Sequence, residues 1–276
     1  LEPATSGITI RRSNQLSYIH HFRLLWGQRA ANIVRDRLPP RGLLCAVHMH
    51  VLALPKWYPG RNDPQLGDFI RKQVLAAARK VKMSVLFVVP LDDLGSTHEQ
   101  ELDERDGAWE LRCYYRPYRT SFTPWRKLMN YRRYHQATRA GLARLWKERG
   151  QPDLVHVHIL LRPALTARML LRKHGIPYLI SEQSSEYLDG RYASKNPGSK
   201  VLHKRLFHMA SRITAVSAWL GDGLVNLGLC EAYEVVPNVV PGLDRPLPAP
   251  GPAGTFMVVA DLVDGVSKID RIEHQS

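Results

Sequence analysis

Residues Pro152 to Leu188, PDLVHVHILLRPALTARMLLRKHGIPYLISEQSSEYL, constrain the fold more than any other stretch of the chain. The apolar run Leu154 to Ile159 has the length of a buried strand, and Ala164 to His174 repeats apolar side chains with helical period. Gly175 supplies a C-cap, and Tyr178 to Ser181 reads as a second strand. A strand, a helix and a strand in this order join parallel neighbours through a right-handed crossover. In open parallel sheets ligands bind beyond the carboxyl ends of the strands, which directs attention to His158 and to the polar loop Ser181 to Glu186.

The same alternation continues on either side. His50 to Leu54 reads as a short apolar strand, followed by the loop KWYPGRNDPQLG. Asp68 to Val81 reads as a helix, with Phe69, Ile70, Gln73, Val74, Ala77 and Val81 along one stripe. Ser84 to Val89 is a second strand, Asp92 to Gly107 is acidic and reads as a loop or a frayed helix, and Trp109 to Tyr115 alternates as a strand. Trp125 to Arg149 is a long helix stopped by Gly150 and Pro152. Beyond the central unit come a helix over Lys200 to Met209, a strand over Ser211 to Val216, a helix over Ala218 to Leu227 and a strand over Tyr233 to Val236. Strands alternating with helices at this spacing imply a parallel sheet covered on both faces. The expected fold is α/β, a Rossmann-like doubly wound parallel sheet over residues 49–241.

The ends of the chain read differently. Residues 1–48 hold seven arginines and no lysine, and Met49 opens a stretch that looks like a normal protein start. They are expected to be an N-terminal extension, disordered or not native, with a packed helix over Phe22 to Val34 as the alternative. Residues 242–254, GLDRPLPAPGPAG, are expected to be a linker, because so many prolines can neither join a sheet nor continue a helix. Thr255 to Ala260 is apolar and reads as the first strand of a second domain cut short within residues 255–276.

A net charge of +14 makes the surface attractive to nucleic acid, anionic lipid headgroups, sugar nucleotides or acidic polysaccharides. Nucleic acid is not expected, since the basic residues are spread and no recognition motif is present. Cys45, Cys113 and Cys230 are widely scattered and include no CxxC pair, so neither a disulfide framework nor a zinc knuckle is indicated. No run is long and apolar enough to cross a membrane. The expected location is the cytoplasm, with peripheral attachment at the inner face of the plasma membrane as an option.

Five motifs in order, PKWYPGRNDPQLGDFIRKQV, PDLVHVHILLRPAL, PYLISEQSSEYL, ASRITAVSAWL and YEVVPNVV, resemble the N-terminal half of a GT-B-fold glycosyltransferase of the retaining family 4 type. FMVVADLVDGV adds a residual match at the start of a second domain. The resemblance implies metal-free transfer of a sugar from a nucleotide-sugar donor to a glycan or lipid-linked acceptor. It also implies an N-terminal domain that holds the acceptor and a C-terminal domain that holds the donor. The expected chain therefore retains the acceptor side, binds donor weakly or not at all, and has no bound cofactor. A non-catalytic glycan-binding pseudo-transferase is the alternative, and a basic nucleic-acid-binding protein the lesser one. One departure stands out: the histidine that commonly follows the glutamate of the 182–186 loop is Gln183 here.

The candidate site residues follow from position and from this resemblance. His158, at a strand's carboxyl end, is placed to hydrogen-bond a sugar or acceptor hydroxyl, or is an imidazole satisfied within the core. Glu182, Gln183 and Glu186 are acceptor-binding candidates, because a cluster of polar side chains grips several hydroxyls at once; a hydrated loop capped by Ser184 or Ser185 is the alternative. Gly67 precedes a helix where the absence of Cβ lets a phosphate approach, and the resemblance puts it beside the donor phosphates. Ser217 is a helix N-cap or a ligand contact, Asp68 a cap, and Asn238 a turn former. His48, His50, His156 and His158 share a two-residue spacing, yet no metal is expected, since no converging carboxylate accompanies them. The 125–149 helix joins a basic face to aromatic residues, which suits either a solvated packed helix or an anionic membrane surface.

Overall fold

Apolar strands that read as near-continuous runs are buried on both faces, and a computed structural model of the protein, describing residues 49–238, arranges them accordingly. Along the chain these are β1 (His50–Pro55), α1 (Asp68–Ala78), β2 (Lys82–Pro90), β3 (His98–Asp103), β4 (Trp109–Tyr115) and α2 (Thr123–Arg149). Then come β5 (Leu154–His158), α3 (Arg162–His174), β6 (Tyr178–Glu182), α4 (Pro197–His208), β7 (Arg212–Ala215), α5 (Ala218–Asn226) and β8 (Glu234–Val235). The expected extension, linker and second-domain strand lie outside the described residues.

Among the described residues the strands form one eight-stranded sheet in the order β3-β4-β2-β1-β5-β6-β7-β8. All pairs are parallel except β3 with β4. That exception corrects the expectation for Asp92 to Gly107: His98–Asp103 is an antiparallel edge strand rather than a loop or frayed helix. Its sequence HEQELD lacks an apolar run because an edge strand half open to solvent can carry charge, which discourages further strand pairing. Two of its carboxylates, Glu99 and Glu101, are met by Arg61 at 2.7 and 2.9 Å.

Two cores flank the sheet. One contains Leu52, Leu54, Leu86, Leu111, Val155, Val157 and Ile180 from the strands with Tyr134, Leu142 and Leu145 of α2, Ala164 and Leu170 of α3, Leu206 of α4 and Leu224 of α5. The other contains Val51, Ala53, Met83, Val85 and Phe87 with Ile70, Val74 and Ala77 of α1. Successive strand residues therefore alternate between the cores, as the pleat requires. Helices on both faces make the sheet doubly wound.

Candidate functional site

The order of strands reverses between β1 and β5, and in open parallel sheets such a reversal is where ligands bind beyond the carboxyl ends of the strands. Pro55 of β1 is registered with His158 of β5, and the amide of Lys56 donates to the His158 carbonyl at 3.0 Å. His158 thus ends its strand at the switch point. Its side chain is 0% exposed, and among the described residues neither ring nitrogen has a hydrogen-bond partner. His156 lies two residues earlier on the same face, with ring centroids 3.9 Å apart. From its Nε2 a polar relay runs across the sheet, 2.7 Å to Ser181 Oγ and a further 2.6 Å to Thr214 Oγ1. Burial pushes the His156 imidazole down to about 3. It also holds His158 well below the ordinary histidine value, with His156 adding to the effect. Both rings are neutral at physiological pH, and a neutral ring offers one donor and one acceptor.

The backbone just after His158 is unusual. Ile159 and Leu161 have φ of 64° and 65°, in a region that L-residues with large side chains avoid at a cost of about 1–2 kcal/mol each. Two bonds from β6 hold this turn: the Ile159 amide donates to the Ser181 carbonyl at 2.9 Å, and the Leu160 amide donates to Glu182 Oε2 at 3.2 Å. The other carboxylate oxygen of Glu182 accepts from the amides of Gln183 and Ser184, each at 3.0 Å. Glu182 therefore braces the turns after β5 and β6. Burial raises its pKa to about 7, although three N–H donors favour the charged form.

The rest of the loop is tied to other elements. Gln183 Nε2 donates to Gln73 Oε1 at 3.1 Å, and Gln73 Nε2 donates to Asn238 Oδ1 at 2.9 Å, so three amides link β6, α1 and the segment after β8. Gln183 Oε1 is buried without a partner among the described residues. Ser184 caps the short 3-10 turn Ser185–Tyr187, accepting from the Glu186 amide at 3.4 Å. The Glu186 carboxylate pairs with Lys195 at 3.2 Å and lies 3.9 Å from Nε2 of His203, whose own pKa burial depresses.

Among the described residues no hydrogen bond joins Gly67 or Ser217 to His158 or to the 182–186 loop. Ser217 caps α5, its Oγ accepting from the Leu220 amide at 3.3 Å. Asp68 does not cap α1; it pairs with Lys72 one turn later at 2.5 Å. Gly67 has φ of +67°, and a Cβ there would stand 2.5 Å from the Trp57 carbonyl oxygen. Gly67→Ala is therefore expected to cost about 2–3 kcal/mol, from the left-handed backbone and the close approach together. Thermal unfolding would measure it, and an unchanged midpoint would refute the close approach.

The four-histidine spacing does not converge. Ala53 is registered with His156, so His50, three residues earlier on β1, faces the opposite side of the sheet, where its Nε2 lies 2.8 Å from Ser84 Oγ. His48 lies outside the described residues. Among the described residues no group of three or more His, Cys, Asp or Glu side chains is placed to hold a metal ion. Sequence reasoning missed Gln73, which it took for part of an apolar stripe, and Lys195. It also had no signal for the positive φ at Ile159 and Leu161, since neither is glycine.

Residues 76–239 match the family model described as glycosyl transferase 4-like domain, which spans more than half of the chain and includes β2 to β8. The chain belongs to this family. His158, the 182–186 loop and Ser217 fall inside the match, while Gly67 falls before it. Comparison with curated proteins finds no match. As a glycosyl transferase 4-like domain of the GT-B amino-terminal type, the chain carries its strained turn, buried imidazole and braced loop within the family's own segment.

Proposed function

We propose that this protein transfers a sugar from a nucleotide-sugar donor to a glycan or lipid-linked acceptor, and that the crevice at the carboxyl ends of β1, β5 and β6 holds the acceptor. The observation that carries this reading is His158, a fully buried neutral imidazole whose two nitrogens have no hydrogen-bond partner among the described residues, at the switch point of a glycosyl transferase 4-like domain. An unpaired buried polar group costs about 1–3 kcal/mol, and a hydroxyl of the acceptor or of the transferred sugar would recover that cost. Gln183 Oε1, also buried without a partner among the described residues, offers a second acceptor for a ligand hydroxyl. Glu182 acts through the backbone, holding the turn that ends in the amino terminus of α3. Gly67 and Ser217 are assigned to the donor side through nearby backbone amides. The donor is a substrate, and no bound cofactor or metal is invoked. This reading puts the protein in the cytoplasm, where nucleotide-sugars are made, and at the inner face of the plasma membrane if its acceptor is lipid-borne.

The test is nucleoside diphosphate release by the natural full-length protein, given UDP-glucose, UDP-N-acetylglucosamine or GDP-mannose with a cellular lipid or glycan extract. Release is expected with one donor, and His158→Gln is expected to lower its rate about tenfold to a hundredfold while the donor KM stays within about twofold. Release unaffected by His158→Gln would remove the imidazole from the site. A second reading, a glycan-binding protein without turnover, is favoured by Gln183, whose amide is engaged by Gln73 where the family more often carries a histidine. Glycan binding without consumption of any donor would support that reading.

A further inference from the structure

Among the described residues the amino-terminal three turns of α2 form a long helical stretch that packs nothing into either core. A 27-residue helix is about 40 Å long, far longer than the strands it covers. Its buried residues, Tyr134, Ala137, Thr138, Gly141, Leu142 and Leu145, all lie in its second half or near its middle, and no residue from Ser121 to Arg133 is buried. Yet this overhang is not polar. Phe122, Trp125, Leu128 and Tyr131 are 64%, 46%, 46% and 51% exposed. At about 100° per residue, Trp125, Leu128 and Tyr131 fall in one sector about 120° wide.

The charges around that sector have one sign. From Arg116 to Arg133 the chain carries Arg116, Arg119, Arg126, Lys127, Arg132 and Arg133 and no carboxylate. Arg119 pairs with Asp92 at 2.8 Å, and Arg133 donates to the Arg116 carbonyl while lying over the Tyr118 ring. Among the described residues no carboxylate partners Arg126, Lys127 or Arg132. The overhang is also on the functional edge of the sheet. It follows β4, whose last residue Tyr115 is held through its hydroxyl by Arg162 at the start of α3, 3.0 Å away, and α3 begins just beyond His158.

We propose that this segment, Phe122 to Arg133, docks on an anionic lipid surface: the aromatic and leucine side chains enter the headgroup boundary and Arg126, Lys127 and Arg132 meet lipid phosphates. Tryptophan and tyrosine settle at that boundary, and cations beside them add attraction to acidic lipids. A nucleic acid would match the cations but leave Phe122 and Leu128 without a contact that favours their exposure. No described helix is long and apolar enough to cross a membrane, so the attachment is to the surface. Its functional sense, access to a lipid-borne acceptor, rests on the transfer reaction proposed above, whereas vesicle binding is read without donor or acceptor, so the two fail separately.

The test is flotation of the 276-residue protein with vesicles of phosphatidylcholine alone or with phosphatidylglycerol added. Binding is expected only with phosphatidylglycerol, weakening as salt rises. Each basic residue near the surface contributes about fivefold in partitioning, so the triple change Arg126→Gln, Lys127→Gln, Arg132→Gln is expected to lower it about a hundredfold. Trp125→Ser with Leu128→Ser is expected to abolish flotation, and since both side chains are exposed the far-ultraviolet spectrum and melting midpoint should not move. Binding indifferent to phosphatidylglycerol, or unaffected by either set, would overturn the proposal. So would a Trp125→Ser, Leu128→Ser protein that sediments as a smaller oligomer than the parent, because the patch would then be an interface between copies.

Discussion

Replacing Arg112 with methionine is expected to cost about 3–5 kcal/mol of unfolding free energy, the range for removing one partner of a buried ion pair. Arg112 and Glu110 lie on the same face of β4, and their side chains are only 7% and 1% exposed. The guanidinium donates to Glu110 Oε2 and to the Pro59 carbonyl, each at 2.7 Å, and lies 3.9 Å from Asp103. Arg71 of α1 reaches the same carboxylate from the other side at 3.0 Å and also pairs with Asp106. Methionine keeps the bulk but leaves a buried carboxylate short of a donor and a loop carbonyl unpaired. Changing Glu110→Leu together with Arg112→Met should recover most of the loss, because two desolvated charges leave together. Urea unfolding of the two single variants and the double would give the coupling. A loss under about 1 kcal/mol in Arg112→Met would mean that water entering the neighbouring cavity of about 330 Å³, lined by Arg71, Asp103, Asp106 and Arg112, already solvates the cluster.

That cluster marks the limit of what the sequence discloses. Units such as β5-α3-β6 were legible because a strand buried on both faces must be apolar throughout, and Leu154 to Ile159 is nearly so. The histidines 156 and 158 interrupt that pattern, and their position at a strand end pointed to the crevice. β3 was not legible, since the carboxylates of HEQELD answer to a cation brought from Arg61, some forty residues away, and that partner is set by tertiary pairing. Glu110 and Arg112 likewise sit on an interior face that a sequence pattern would make apolar. Within the site, Glu182 was found for its polarity, but its work is done through the amides of Leu160, Gln183 and Ser184, which no side-chain motif encodes. Gln73 falls on the helical stripe of α1 because it is buried, and helical period discloses burial but not the reason for a polar side chain there. The amides of Gln183 and Asn238 explain it.

Acid is expected to unfold this protein far more steeply than carboxylate titration alone would allow. His50, His156 and His158 are buried neutral: burial, helped by Lys82, lowers His50 to about 4; burial lowers His156 to about 3; and His158 is held well below its ordinary value. A depressed histidine contributes stability that is complete above the unfolded pKa near 6.5 and is lost as pH falls, because only the unfolded chain then takes the proton. Glu182 works against this. Its pKa is raised to about 7, so the folded chain holds a proton there that the unfolded chain releases above about pH 4.5, and stability from this group falls as pH rises through that window. Between about pH 6 and pH 5 these three histidines outweigh one glutamate, and His135 and His203, which burial also depresses, act in the same direction. Unfolding should take up at least about two net protons, and stability should drop by at least about 2.7 kcal/mol per pH unit. Against a total of about 5–15 kcal/mol, two such units bring the folded state close to its limit. Urea midpoints measured through this range would give the slope. His158→Gln is expected to lower it by about one proton, and Glu182→Gln to raise it by about one. A slope unmoved by His158→Gln would mean that this imidazole is protonated inside the fold, which would remove the neutral donor and acceptor on which the proposed acceptor site depends.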